Sequence, residues 1–187
     1  MMEGLRSELN KYYVEMVDAY SKEDSKFDFW NSSRNHAGYI FCKMIERTKG
    51  EIKILTGNME ELYFEEIKDY IVDLGVRVRS IQIITVQEND MEKITEYRRI
   101  FKLINSAIGR RVIRYLALKN NGDSKMIQHF MVSDKKAWRL EDAHDMSVAV
   151  EDNRAQVCFN NIEEGKRLDI EFQTIWTKFF EHTLTLG

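Results

Sequence analysis

The chain has 187 residues, of which 43% are apolar, 32% charged and 11% aromatic, and its formal net charge is −3. This length holds one domain of ordinary size, and the apolar share can offset the ordering entropy, which excludes intrinsic disorder. No run reaches the ~18 apolar residues that a membrane span needs. Met1 to Lys11 lacks the apolar core of a signal peptide, so the cytoplasm is the expected compartment. The acidic balance argues against a protein devoted to coating nucleic acid, while leaving room for a local basic patch. Cys42 and Cys158 cannot build a disulfide framework, and neither has a Cys or His at metal-ligand spacing. Both read as buried small hydrophobes, and neither a metal nor another cofactor is expected. Proline is absent, where an average usage of ~5% would give roughly nine, which suits long uninterrupted elements.

In chain order, Leu5, Leu9, Met16 and Tyr20 recur at helical spacing and predict a first helix over Glu3 to Tyr20. Ser21 to Ser33 is polar with three aromatics (Phe27, Phe29, Trp30) and reads as a loop pinned by those rings. Arg34 to Thr48 is helical, with Ala37, Ile40, Phe41, Met44 and Ile45 on one face and Lys49-Gly50 as its stop. The period then changes. Glu51–Thr56 reads as a strand, Leu62 to Leu74 as a helix with Phe64, Ile67, Ile71 and Leu74 inward, and Val76 to Val86 as a buried strand. That order is a βαβ unit, which normally means parallel strands. Met91 to Ala107 returns to helix. Strands follow at Arg111–Leu118, Met126–Ser133, Ala137–Leu140 and Ala155–Phe159, with turns at Asn120 to Asp123 and Asp134 to Lys136. Asn161 caps a final helix, with Glu164 three residues on and Leu168, Phe172, Ile175, Trp176 and Phe179 as its core face. The fold class is α/β, a mixed β-sheet flanked by helices. Residues 1–33 form an N-terminal helix and aromatic loop, and residues 34–187 the main domain.

Three segments together resemble the phospholipase D-like superfamily. They are Ile45-Glu46-Arg47-Thr48-Lys49-Gly50 running into Glu51–Gly57, the Gly75-Val76-Arg77-Val78 entry to a buried strand, and Gln128 to Glu141 followed by Ala155 to Asn160 and a helix containing Phe172 and Trp176. The likeness covers roughly Arg34 to Glu181. Active members carry His-x-Lys-x4-Asp, and this chain departs from that pattern. With His129 on the family histidine, Met131 takes the lysine position and Lys136 the aspartate position. With Asp134 on the family aspartate, His129 takes the lysine position and Ile127 the histidine position. The second register is preferred, because Val132-Ser133-Asp134 before a turn and strand is the family reading. In either register a catalytic group is missing, and the Gly-Ser-x-x-Asn continuation is replaced by Arg139-Leu140-Glu141-Asp142. The resemblance implies the fold with degenerate chemistry, and a homodimer, since single-motif members pair their half-sites.

Covalent phosphodiester cleavage needs an imidazole nucleophile, an orienting carboxylate and cations on the equatorial oxygens. His129, Asp134 and Lys136 are the right types for a rearranged site. Alternation places His129 on one face with Ile127 and Met131, which favours a buried, hydrogen-bonded histidine. Arg139 and Glu141 share a face of the next strand, so His129, Arg139 and Glu141 are the candidate ligand cluster at the strand ends. The alternative is a structural salt bridge at the rim. His144 with Asp142, Asp145, Glu151 and Asp152 matches no metal-binding spacing, and His36 reads as a helix-cap residue. Tyr97 to Lys119 carries seven basic residues (Arg98, Arg99, Lys102, Arg110, Arg111, Arg114 and Lys119) and no acid. Residues Asn58 to Asp73 carry six acids against Lys68. The basic stretch suits a phosphate backbone or a complementary protein face; a protein partner is preferred, and nucleic-acid binding is expected to be weak or nil. Met126, Phe130 and Trp138 are the candidate dimer contact. The leading reading is a noncatalytic or degenerate module acting through protein interaction or ligand sensing, with a nuclease or phosphodiesterase as the alternative.

Overall fold

β-Branched and aliphatic residues on the central strands sort to two faces, and helices cover both. The computed structural model describes residues 9–31, 33–57, 78–86, 91–118, 126–142, 144–145 and 154–184. Helix α1 (Lys11–Lys22) leads to β1 (Phe29–Asn31), α2 (Arg34–Arg47), β2 (Glu51–Thr56), β3 (Ser80–Val86) and α3 (Met91–Ile108). There follow β4 (Ile113–Leu118), β5 (Met126–Ile127), β6 (Phe130–Ser133), β7 (Ala137–Glu141), β8 (His144–Asp145), β9 (Ala155–Cys158) and α4 (Ile162–Leu184). Seven strands form one mixed sheet in the order β1-β9-β7-β6-β2-β3-β4. Strands β2, β3 and β4 are parallel, and the remaining neighbours are antiparallel.

One face packs Val17 of α1, Ile40 and Met44 of α2, and Ile100 and Ile104 of α3 against Ile52, Ile83, Ile113, Met131 and Val157. The other packs Leu168, Phe172 and Trp176 of α4 against Leu55, Ile84, Phe130, Val132 and Trp138. A polar row runs through this second layer. Lys53, Gln82 and Arg114 are register partners on adjacent strands. Lys53, only 2% exposed, donates to Asp169 of α4, and Gln173 one turn on donates to Gln82. Arg114 stacks its guanidinium 5.8 Å over the Trp176 ring.

The β6–β7 hairpin locks the sheet to both α2 and α4. Asp134 and Lys135 both have positive φ, and Lys136 N–H donates to Ser133 O, the backbone of a type I′ turn. Asp134 carboxylate accepts the N–H groups of Lys49, Gly50 and Glu51, each at 2.9 Å, at the junction of α2 and β2. Thr48 Oγ1, at the α2 C-terminus, lies 2.6 Å from Ser133 Oγ. Asn161 N–H donates to Lys136 O where α4 begins.

Several elements differ from the sequence expectation. Helix α1 starts at Lys11, where Asn10 Oδ1 takes the Tyr12 N–H and caps it, and the part of the predicted helix at 3–8 lies outside the described residues. The aromatic stretch read as a loop contains β1, which pairs with β9. Strand β3 begins at Ser80, since Arg79 and Ser80 donate back to Gly50 O. Strand β4 begins at Ile113, because Asn105 Oδ1 takes the Val112 and Ile113 N–H groups. The single strand expected over Met126–Ser133 is broken at Gln128 and His129, and β5 pairs with β8 in a separate two-stranded sheet. Phe130 and Trp138, expected to be an exposed dimer contact, are each 2% exposed beneath α4. That correction has a simple cause: the amphipathic face of α4 covers them. The predicted helix at 62–74, the acidic stretch at 58–73, the turn at 120–123, Lys119, Glu151 and Asp152 lie outside the described residues. Both cysteines are buried, and burial pushes the Cys158 thiol up to about 11. No helix among the described residues is long and apolar enough to cross a membrane.

Gly165 lies where α4 crosses the hairpin backbone. A Cβ there would sit 2.5 Å from the Lys135 carbonyl and 2.6 Å from Lys136 N. Backbone cannot yield as a side-chain tip can, so Gly165→Ala should destabilise by at least about 2 kcal/mol despite alanine's better helix propensity. Urea unfolding with an unchanged denaturant slope measures it; a neutral or stabilising result would contradict this packing.

Candidate functional site

The sheet has two chemically different ends. At the N-terminal ends of β2 and β3, Lys49, Glu51, Arg79, Asp134 and Lys135 line a cavity of about 560 Å³. Asp134 is committed there to three backbone donors. Lys136 Nζ contacts both oxygens of Asp24, at 2.7 and 3.0 Å. His129 sits at the other end of β6. Five residues at ~3.3 Å rise separate it from Asp134 by roughly 16 Å. The candidate catalytic trio His129, Asp134 and Lys136 is therefore not brought together.

At the C-terminal ends of the parallel strands, His129, Arg139 and Glu141 lie side by side. Strand alternation turns Arg139 and Glu141 to the face that carries α1–α3, and the β6–β7 pairing brings His129 beside Glu141. Glu141 N–H donates to His129 O at 2.9 Å. His129 Nδ1 lies 3.1 Å from Glu141 Oε2, and Arg139 Nη1 donates to Glu141 Oε1 at 2.5 Å. Arg139 Nε donates to Asn31 Oδ1 at 3.2 Å. Burial alone would raise the Glu141 carboxyl, but the His129 contact and the Arg139 charge outweigh it and hold the group at about 2. Asn31, 1% exposed, keeps a buried Nδ2 with no hydrogen-bond partner. Asn31 was not foreseen, because a polar residue after an aromatic pair carries no signal until β1 joins the sheet. It lies two residues before Ser33, the N-cap of α2, so the amino end of that helix opens near the same edge.

The basic stretch divides. Arg98, Lys102, Arg110 and Arg111 line one groove of about 520 Å³ between α3 and the start of β4, with Tyr115 at its wall and no acidic residue in its lining among the described residues. Arg99 turns away to Glu96, at 2.6 Å. Arg114 lies on the opposite face of the sheet, against Trp176 and with Nη2 3.3 Å from Ser80 Oγ. Six candidates thus become four in the groove and two outside it. His36 N–H donates to the Ser33 cap, and its ring stacks on Tyr13 at 3.8 Å, joining α2 to α1. Burial lowers the His36 pKa. No group of three His, Cys, Asp or Glu side chains among the described residues is placed to hold a metal.

Nuc from Salmonella typhimurium, a phospholipase D family member, superposes with a TM-score of 0.54 at 12% identity, over 81% of this chain and 95% of that one. The fold is phospholipase D-like. TrmBL2, an archaeal chromatin protein whose structure shows a novel mode of DNA binding, superposes with a TM-score of 0.57 at 14% identity, over 94% of this chain. This chain spans 63% of the TrmBL2 chain. No family model matches the sequence, and no curated protein matches it. These likenesses concern the phospholipase D-like fold alone; the site chemistry rests on this chain's own residues.

The depressed Glu141 carboxyl sets an acid limb. Its folded value of about 2, below the ordinary 4.5, contributes stability that is full above pH 4.5 and lost as pH falls toward 2. The size is on the order of 3 kcal/mol. Glu141→Gln should flatten the dependence of unfolding free energy on pH across that window. An unchanged acid limb in the variant would show that the cluster does not store this energy.

Proposed function

We propose that the chain is a noncatalytic phospholipase D-like module whose cluster of His129, Arg139, Glu141 and Asn31 holds a small oxygen-rich ligand. One observation carries this reading: the residue types that a covalent phosphodiesterase needs are dispersed and already engaged. Asp134 clamps backbone, Lys136 pairs with Asp24, and Met131, two residues after His129, is a buried apolar side chain. Arg139 is the cation nearest His129 in the cluster, and it is forked between Glu141 and Asn31. A transferring phosphoryl group needs its cations aimed at developing charge, not spent on a neighbouring carboxylate.

Binding asks for less. An amide with a spare buried donor at Asn31 Nδ2, a fixed guanidinium and an imidazole lie together at the end where open α/β sheets take ligands. Sugars and phosphorylated sugars supply the acceptors that such donors want. A binding role is in keeping with TrmBL2, a structural neighbour described by the DNA it binds.

Two measurements test the reading. Purified protein should show no metal-independent turnover of DNA, RNA or phospholipid; robust turnover abolished by His129→Ala would sink the proposal. In a thermal-shift screen of sugars and phosphorylated sugars, a ligand at 100 times its Kd adds about 2.7 kcal/mol, or roughly 5–10 °C for a chain of this size. Arg139→Met and Asn31→Ala should each abolish the shift. A shift that survives both substitutions would place the ligand elsewhere.

A further inference from the structure

We infer that the α3–β4 groove binds the phosphodiester backbone of nucleic acid, weakly and without sequence preference. The inference does not rest on the ligand cluster, which lies on other strands. Its starting point is an imbalance: the chain as a whole carries −3, yet among the described residues four cations and no acid line this groove. Arg98 and Lys102 stand four apart on α3, where like charges repel. Cations are often placed at a helix C-terminus to neutralise the dipole, and that accounts for Arg110 and Arg111, which follow the end of α3. It does not account for Arg98 and Lys102, because the dipole acts within the last turn.

The cations form a track. Eleven residues separate Arg98 from Gly109, so at 1.5 Å per residue the helical part runs ~16 Å, about five base-pair steps of duplex. Gly109, at φ +72°, turns the chain and lets Arg110 and Arg111 continue the line. The track is also pre-set. Asn105 staples α3 to β4: its Oδ1 accepts the Val112 and Ile113 N–H groups at 2.8 Å, and its Nδ2 donates to Ile113 O at 2.9 Å. Arg110 is anchored by a 2.8 Å bond from Nη2 to Val78 O. A cation held as Arg110 is loses little freedom on binding.

The floor decides between polyanions. A protein partner would need an exposed apolar centre to desolvate. The groove's aliphatic and phenyl members, Ile113 and Phe101, are buried in the core, and exposed Leu103 is not among its lining residues. What remains exposed is charge, which suits phosphates that stay partly wet.

The test is fluorescence anisotropy of the full chain with two labelled duplexes of unrelated sequence, across a salt series. Four phosphate contacts predict a slope of log K on log salt of about −3 to −4. The double variant Arg98→Glu with Lys102→Glu should lose at least about tenfold in affinity at low salt and reduce that slope by roughly two. Arg99→Glu, outside the groove, should change affinity by less than about threefold. Three results would overturn the inference. They are no saturable binding at low salt, an Arg99→Glu loss equal to that of the double variant, and equal displacement by polyglutamate at matched charge. The first denies the site, the second reduces it to net charge, and the third assigns it to an acidic protein.

Discussion

The buried pair of Lys53 and Asp169 is the constraint on which the rest of the arrangement depends. An ammonium on a central strand, removed from water, costs several kcal/mol unless an anion meets it there. Glu51 Oε1 lies 3.4 Å from Lys53 Nζ and Asp169 supplies the closer anion, so helix α4 settles where Asp169 reaches Lys53, with Gln173 on Gln82 and Trp176 beneath Arg114. In that register, Leu168 and Phe172 cover Phe130, Val132 and Trp138. One polar contact thus closes a whole face of the sheet. Leucine in place of lysine would pack as well, but it would leave α4 free to slide along an apolar surface.

The closed face has a consequence for function. With α4 seated, an aromatic surface that a second copy could have covered is already inside the molecule. The chemistry is left to the two ends of the sheet and to the outer side of α3. At one end, Asp134 ties the β6–β7 turn to the start of β2, so an acid of catalytic type serves the framework. At the other, His129, Glu141, Arg139 and Asn31 contact one another, while Asn31 Nδ2 and Glu141 Oε2 are buried without a hydrogen-bond partner. The fold places a polar constellation at the end where such sheets take ligands.

Charge placement shows the same division between composition and position. Net charge says that the chain is acidic, but the surface field near a ligand comes from residues within about a Debye length, ~10 Å at moderate salt. Six basic candidates adjacent in sequence part company on folding. The helical period turns Arg99 away from Arg98 and Lys102, and the strand period turns Arg114 through the sheet. Four of them line one groove.

Periodicity in the sequence carried the α/β class, the buried strands β2 and β3, the helices α2, α3 and α4, and the shared face of Arg139 and Glu141. Those properties are local, since 3.6- and 2-residue repeats are written into consecutive side chains. The resemblance around Gln128 to Glu141 pointed to the fold that the solved structures bear out. Strand β1, the break at His129 and the start of β4 were not legible. Each is set by a partner distant in sequence: β9 for β1, β8 for β5, and the Asn105 amide for Val112 and Ile113. The candidate site divided in the same way. The sequence by itself determined which residue types were present and which strand face each would occupy. Only the tertiary structure decided that His129 meets Glu141 while Asp134 and Lys136 are held at the far end of β6, because a strand rises ~3.3 Å per residue and neighbours in sequence need not share a site.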